Sequence, residues 1–318
     1  MKRFVIRTIL FVLPLMAVMI VTFSLEGGYS DAYYLRFTSP VQNGLITGNS
    51  RAAQGLMPSV INSHLDSLYD SKVYNYSFTL TSSPYGRPYF NSIKKKIDPA
   101  AKNGIFILAV DPWSISVASG NPDDERSFPE EHNFMAELDD VTSEPNFEYL
   151  LNHYSNPYYN IILRRISPRH LRIHEDGWLN VSVSMDTVAV ERRAVKKFRM
   201  YQRFAQQFKY SHARMTWLQE LINLLKRHGN VFLVRLPVHD EILKSEKLVI
   251  PDFNEKMNIL SGQFDVPYLD LTGSNMMYRY IDGNHLHKSS SAIVSRVVAE
   301  WIKQYHAGSV HNDAIVKQ

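Results

Sequence analysis

The chain has 318 residues, 45% of them apolar, a formal charge of +4 and no cysteine. That composition is enough to bury a full core and predicts one large α/β domain with additions, with disorder confined to the ends. It excludes a disulfide framework and a thiolate metal site, and so small a charge does not by itself call for an anionic partner.

Residues 4–23 form a 20-residue apolar run broken only by Arg7, Thr8 and Thr22. At about 1.5 Å per residue this is long enough to cross a bilayer core. Lys2, Arg3 and Arg7 lie at its N-terminal side, so the positive-inside bias predicts a cytoplasmic N-terminus and an extracytoplasmic remainder. The run is followed by Thr22-Phe23-Ser24-Leu25-Glu26-Gly27, which lacks a small-x-small cleavage site. Residues 1–25 therefore read as a retained transmembrane anchor rather than a cleaved signal peptide. Residues 26–40 read as a juxtamembrane linker, 41–306 as the α/β domain and 307–318 as a tail.

Within the domain, strands are predicted at 45–48, 72–78, 104–110, 231–236 and 268–271. Helices are predicted at 51–69, 85–97, a long pair over 190–227, 253–263 and 289–305. This alternation favours a parallel sheet with helices on both faces, whose ligands bind beyond the carboxyl ends of the strands. Residues 113–188 interrupt the rhythm, being rich in Pro, Asn, Asp and aromatics, and read as an insertion beside the active edge. Its Trp113, Tyr154, Tyr158, Tyr159 and Trp178 either stack on sugar rings or fill a satellite core. Residues 191–208 form an amphipathic helix carrying Arg192, Arg193, Lys196, Lys197, Arg199 and Arg203. A solvated face explains these cations, and contact with anionic lipid or polymer is the alternative. No nucleic-acid motif accompanies them. His170 and His174 have metal-ligand spacing but no obvious third ligand, so no metal or other cofactor is expected.

Two short motifs carry the chemistry. Gly48-Asn49-Ser50-Arg51 falls where a strand gives way to a helix, and Asp282-Gly283-Asn284-His285 precedes the last amphipathic helix. Ser50, His285 and Asp282 supply the nucleophile, the general base and the orienting carboxylate of a serine hydrolase. At a strand-to-helix turn the Ser50 backbone N–H would point at a developing oxyanion. Each motif alone also reads as a helix cap; it is the pair, in the order Ser, Asp, His, that points to catalysis. His287, His239, Asp240 and Asp270 are secondary candidates near the same edge.

At these residues the chain resembles the SGNH hydrolase superfamily, whose first block carries Gly-Asp-Ser or a variant and whose last is Asp-x-x-His. It is most similar to the membrane-anchored SGNH-like proteins of bacterial envelopes that work on cell-surface polymers. The resemblance implies a three-layer, flavodoxin-like parallel sheet and the roles already given to Ser50, His285 and Asp282. It also implies two further oxyanion donors, a glycine and an asparagine, and both are altered here. Thr79-Leu80-Thr81-Ser82-Ser83 follows the second strand without a glycine, and Asp111 stands where an asparagine is expected. Thr79, Thr81, Ser82, Asp111 and Arg51 are thus candidates to line the oxyanion or substrate site, although an ionised Asp111 would repel an oxyanion.

The function expected is an inner-membrane-anchored serine acyltransferase or esterase acting on O-acyl groups of a surface polysaccharide. A multi-pass membrane acyltransferase is the partner that the resemblance implies. The alternative is an inactive SGNH-like module that binds glycan or scaffolds an envelope complex.

Overall fold

A computed structural model of the chain describes residues 1–69, 71–78, 83–118, 120–167 and 170–308. Helix α1 (Lys2–Ser24) is long and apolar enough to cross a membrane. Its two threonines are satisfied locally: the hydroxyls of Thr8 and Thr22 donate to the carbonyls of Phe4 and Val18.

In chain order the domain then runs β1 (Gly44–Thr47), α2 (Ser50–Gly55), α3 (Pro58–Leu65), β2 (Val73–Asn75), α4 (Arg87–Lys96) and β3 (Gly104–Ala109). The insertion follows, with β4 (Ser116–Val117), α5 (Phe134–Glu137), α6 (Phe147–Asn152), α7 (Tyr159–Ile166), β5 (Leu171–Ile173) and β6 (Leu179–Val181). The chain returns through α8 (Thr187–Gln207), β7 (Lys209–Tyr210), α9 (His212–Lys226), β8 (Gly229–Arg235), α10 (Asp240–Val249), α11 (Phe253–Phe264), β9 (Tyr268–Asp270) and α12 (Lys288–His306).

The central sheet has five strands in the order β2-β1-β3-β8-β9, all parallel. Alternate residues of its inner strands face opposite apolar clusters, which is why these strands read as near-continuous hydrophobic runs. Leu45, Phe106, Leu108, Val231 and Leu233 pack with residues of α4, α9 and α11. Ile46, Ile105, Ile107, Phe232 and Val234 pack instead with α2, α3 and α12. The chain leaves β1 for β2 on one side and resumes at β3 on the other, so the carboxyl ends of β1 and β3 flank a switch point where a crevice opens.

Three segments differ from their sequence reading. The predicted helix over 51–69 is two helices, α2 and α3, because Pro58 cannot continue the first and instead opens the second. Residues 26–40, read as a linker, are packed into the domain: Tyr34, Arg36 and Phe37 are buried, and Phe37 stacks on Tyr149 and Phe78. Their aromatic content is what a free linker lacks. The insertion is likewise structured; its Phe128, Tyr149, Leu150 and Ile161 are buried, most of them in the cluster that covers the sheet. Two of its bordering tryptophans are interior, the Trp113 indole donating to Glu246 and that of Trp178 to the Gln54 carbonyl, so neither offers a face to a sugar.

Candidate active site

Directly after β1 ends at Thr47, the turn that carries Ser50 begins at Gly48. A Cβ at that position would come 2.7 Å from the Ala52 Cβ and 2.8 Å from the Ala109 Cβ, so only glycine allows α2 to pack this close to β3. Asn49 caps α2 through its side-chain oxygen, which accepts from the Arg51 N–H at 3.0 Å. With the cap supplied by Asn49, the Ser50 hydroxyl is free for other work.

The second turn folds Asp282 back on His285. One carboxylate oxygen accepts the backbone N–H groups of Asn284 (3.0 Å) and His285 (2.8 Å), and the other accepts His285 Nδ1 at 2.9 Å. Gly283 makes the turn possible with a φ of 81°, and a Cβ there would lie 2.5 Å from the Phe198 ring. Burial works against charge on Asp282, but His285, Lys197 and the backbone donor outweigh it and hold the carboxyl well below the usual range. An ionised carboxylate only accepts, so Nδ1 carries the imidazole proton and Nε2 presents its lone pair. Ser50 Oγ lies 2.9 Å from that Nε2. Residues 235 positions apart thus form a Ser-His-Asp relay in which the imidazole can take the hydroxyl proton.

The relay opens into a cavity of about 420 Å³ lined by Ser50, Asn284, His285 and Lys197 on its polar side. Phe78, Leu171, Leu179, Met200 and Phe204 supply apolar walls. No protein-family model matches the chain, and a search of curated proteins finds no match.

Asn284 received no role from the sequence, and its geometry is informative. Its amide oxygen accepts Arg51 Nε at 2.8 Å, and its amide nitrogen lies 3.1 Å from His285 Nε2. A guanidinium has no acceptor, so the oxygen must face Arg51 and the NH₂ must face His285. Arg51 is itself clamped: Nη1 lies 2.5 Å from Glu246, whose other oxygen pairs with Arg235 at 2.6 Å. Burial opposes ionisation of Glu246, but Arg51 and Arg235 together pull its pKa down. A buried ion network therefore sets the direction of one amide in the cavity beside Ser50 and His285. The only local hint was the place of Asn284 beside His285; Glu246 carried no motif.

Of the five residues proposed to line the oxyanion or substrate site, Arg51 and Asp111 do not line the cavity. Asp111 accepts the Asn49 amide at 2.6 Å and the Ser114 N–H at 2.9 Å, and lies 3.7 Å from Arg51. Burial raises its pKa, with Arg51 opposing the rise. Its carboxylate holds the capping residue behind Ser50 instead of facing the cavity, because Asn49 and Ser114 present donors on that side. Thr79, Thr81 and Ser82 lie outside the described residues.

The secondary candidates serve as caps and braces. His239 and His287 cap α10 and α12, Asp270 accepts from Asn254, and Asp240 accepts from Asn275. Among the described residues no group of three or more His, Asp or Glu is placed to hold a metal. On α8, Arg192, Lys196, Arg199 and Arg203 are exposed, whereas Arg193 donates to the Ile281 carbonyl at 2.8 Å and Lys197 lies 3.7 Å from Asp282. The helix read as a solvated basic face thus also braces the turn that carries Asp282 and His285.

Proposed function

We propose that this chain is a membrane-anchored SGNH-type serine acyltransferase or esterase of the bacterial envelope, acting on O-acyl groups of a cell-surface glycan. The observation that carries the reading is the 2.9 Å approach of Ser50 Oγ to His285 Nε2, with Asp282 on the opposite ring nitrogen. The strand order, with Ser50 beyond the carboxyl end of β1 at the switch point, supports the three-layer flavodoxin-like arrangement of that superfamily. The apolar helix α1, with Lys2, Arg3 and Arg7 in its first turns, supports a cytoplasmic N-terminus and an extracytoplasmic domain.

In this reaction Ser50 Oγ attacks the acyl carbonyl as its proton passes to His285 Nε2. The carbonyl oxygen becomes an oxyanion, which takes hydrogen bonds from the Asn284 amide and the Ser50 backbone N–H. The imidazolium, stabilised by Asp282, then protonates the departing alkoxide and leaves an acyl-serine. A sugar hydroxyl (transfer) or water (hydrolysis) attacks that ester with His285 again as base, and Ser50 is regenerated. The apolar cavity walls suit the acyl group. A multi-pass membrane acyltransferase as the source of acyl groups belongs to the same reading.

A fluorophosphonate probe on the purified full chain in detergent tests it. Labelling of the wild type that disappears in Ser50→Ala is expected. Absence of labelling in the folded wild type would replace the enzyme reading with that of a glycan-binding scaffold, which the missing glycine and asparagine donors would then explain.

A further inference from the structure

The insertion presents an apolar stripe on the outside of the domain. In α7, Tyr159, Ile162, Leu163 and Ile166 recur at the spacing of one helix face, yet all four are exposed, Ile166 by 79% and Tyr159 by 65%. Asn160 and Ile161 on the other side are buried, so the helix is docked to the domain by its less extended face. Phe147 and Leu151, one turn apart on α6, are exposed as well. A monomer in water does not gain by leaving six large apolar side chains together on its surface.

The position of the stripe says what covers it. The last turn of α1 is embedded in it: Phe23 is fully buried, with its ring centroid 5.0 Å from that of Tyr158 and 6.0 Å from that of Phe147. Arg165 of α7 donates to the Leu25 carbonyl at 2.6 Å, just beyond the end of α1. The 23 residues of α1 span about 35 Å against a hydrocarbon core of about 30 Å, so its last turn lies at the boundary between acyl chains and headgroups. The stripe is continuous with that boundary. Arg165 and Arg172, both exposed and both against the Tyr29 ring, flank it with positive charge, and Tyr158 and Tyr159 supply the amphipathic rings typical of the interface.

We propose that the exposed face of α6 and α7 is an interfacial membrane-docking surface, seated in the headgroup layer of the leaflet from which α1 emerges. The inference rests on the anchor reading of α1. The domain is then held against the bilayer at two places and does not swing on a tether. The same seating brings the cleft along Tyr29, Ser30 and Asp31, which shares Ala32, Tyr33 and Leu171 with the catalytic cavity, to the membrane-proximal end of the domain.

The absence of native cysteine makes the test direct. Single-cysteine variants Ile162→Cys, Ile166→Cys, Val12→Cys and Ile259→Cys of the full chain, labelled with an environment-sensitive fluorophore, are reconstituted in phosphatidylethanolamine–phosphatidylglycerol vesicles. Iodide reports exposure to water, and lipids spin-labelled near the headgroup or near mid-chain report contact with the bilayer. Labels at 162 and 166 should be several-fold less sensitive to iodide than the label at 259, and quenched by the headgroup-proximal spin label. The label at 12 should respond to the mid-chain one.

Labels at 162 and 166 as open to iodide as that at 259, with position 12 lipid-shielded, would overturn docking while leaving the anchor intact. Shielding from both quenchers would mean coverage by protein, such as a second copy, and would also overturn it. Iodide access at position 12 would remove the anchor itself, and the docking surface with it.

Discussion

Replacing Asn284 tests the side-chain oxyanion donor of the proposed reaction. In Asn284→Ala the amide 3.1 Å from His285 Nε2 is gone, and losing a single oxyanion donor costs about 10²- to 10³-fold in kcat, or ~3–4 kcal/mol of transition-state stabilisation. The same change leaves Arg51 Nε, buried and bonded to the amide oxygen at 2.8 Å, without a partner. An orphaned buried donor costs about 1–3 kcal/mol, so Ala should lose both rate and stability. Asn284→Asp separates the two: it keeps an acceptor for Arg51, and so the fold, but places a carboxylate where the oxyanion forms. Its rate should fall at least as far as that of the alanine variant with no loss of thermal stability. The assay is hydrolysis of p-nitrophenyl acetate alongside the second-order rate of fluorophosphonate labelling, with melting followed by circular dichroism. An unchanged rate in both variants would refute the assignment. A faster rate in Asn284→Ala would mean that the amide competes with Ser50 for the Nε2 lone pair.

Three further outcomes are expected. Asp282→Asn removes the acceptor that sets the imidazole tautomer and should lower kcat by about 10⁴-fold. Because the folded-state pKa of Asp282 is depressed, its contribution to stability is present above the unfolded-state value and is lost as pH falls toward the folded-state one, so the variant should show a shallower acid limb in a stability–pH titration. Arg51→Met breaks a buried pair, a change that costs ~3–5 kcal/mol; with Arg235 still on Glu246 the low end applies, a Tm fall of about 5 °C, partly recovered by adding Glu246→Gln. Lys96, whose ammonium donates to Ser39 and Val141, has its pKa pushed down to about 7 by burial. Above that value the unfolded chain binds the extra proton, so stability should rise by up to about 1.4 kcal/mol per pH unit between pH 7 and 10, and Lys96→Met should flatten that slope in denaturant titrations.

Much of the fold was legible in the sequence because it is written in local periodicity. The five sheet strands are short apolar runs, and α4, α11 and α12 follow helical spacing, so each was placed within about three residues of its observed bounds. α10 was not foreseen: it begins only five residues after β8, and its apolar residues, Ile242, Leu243, Leu248 and Val249, fall in two adjacent pairs separated by four polar ones. The Ser, Asp and His of the relay stood out because each sits in a turn motif beside a regular element.

What the sequence by itself determined is this alternation, the apolar N-terminal run and the identity of the three relay residues, each read from the pattern within a single helix, strand or turn. Only the tertiary structure decided what those residues face. The direction of the Asn284 amide depends on Arg51, 233 residues away, and Arg51 in turn on Glu246, 195 residues away. Asp111 turned toward Asn49, 62 residues distant, rather than toward the cavity. The cavity walls come from the supposed linker, the insertion and the basic helix, brought together around Ser50. Hydrogen-bond partners of buried polar groups are set by which elements pack across the sheet, and that register leaves no trace in any short stretch of chain.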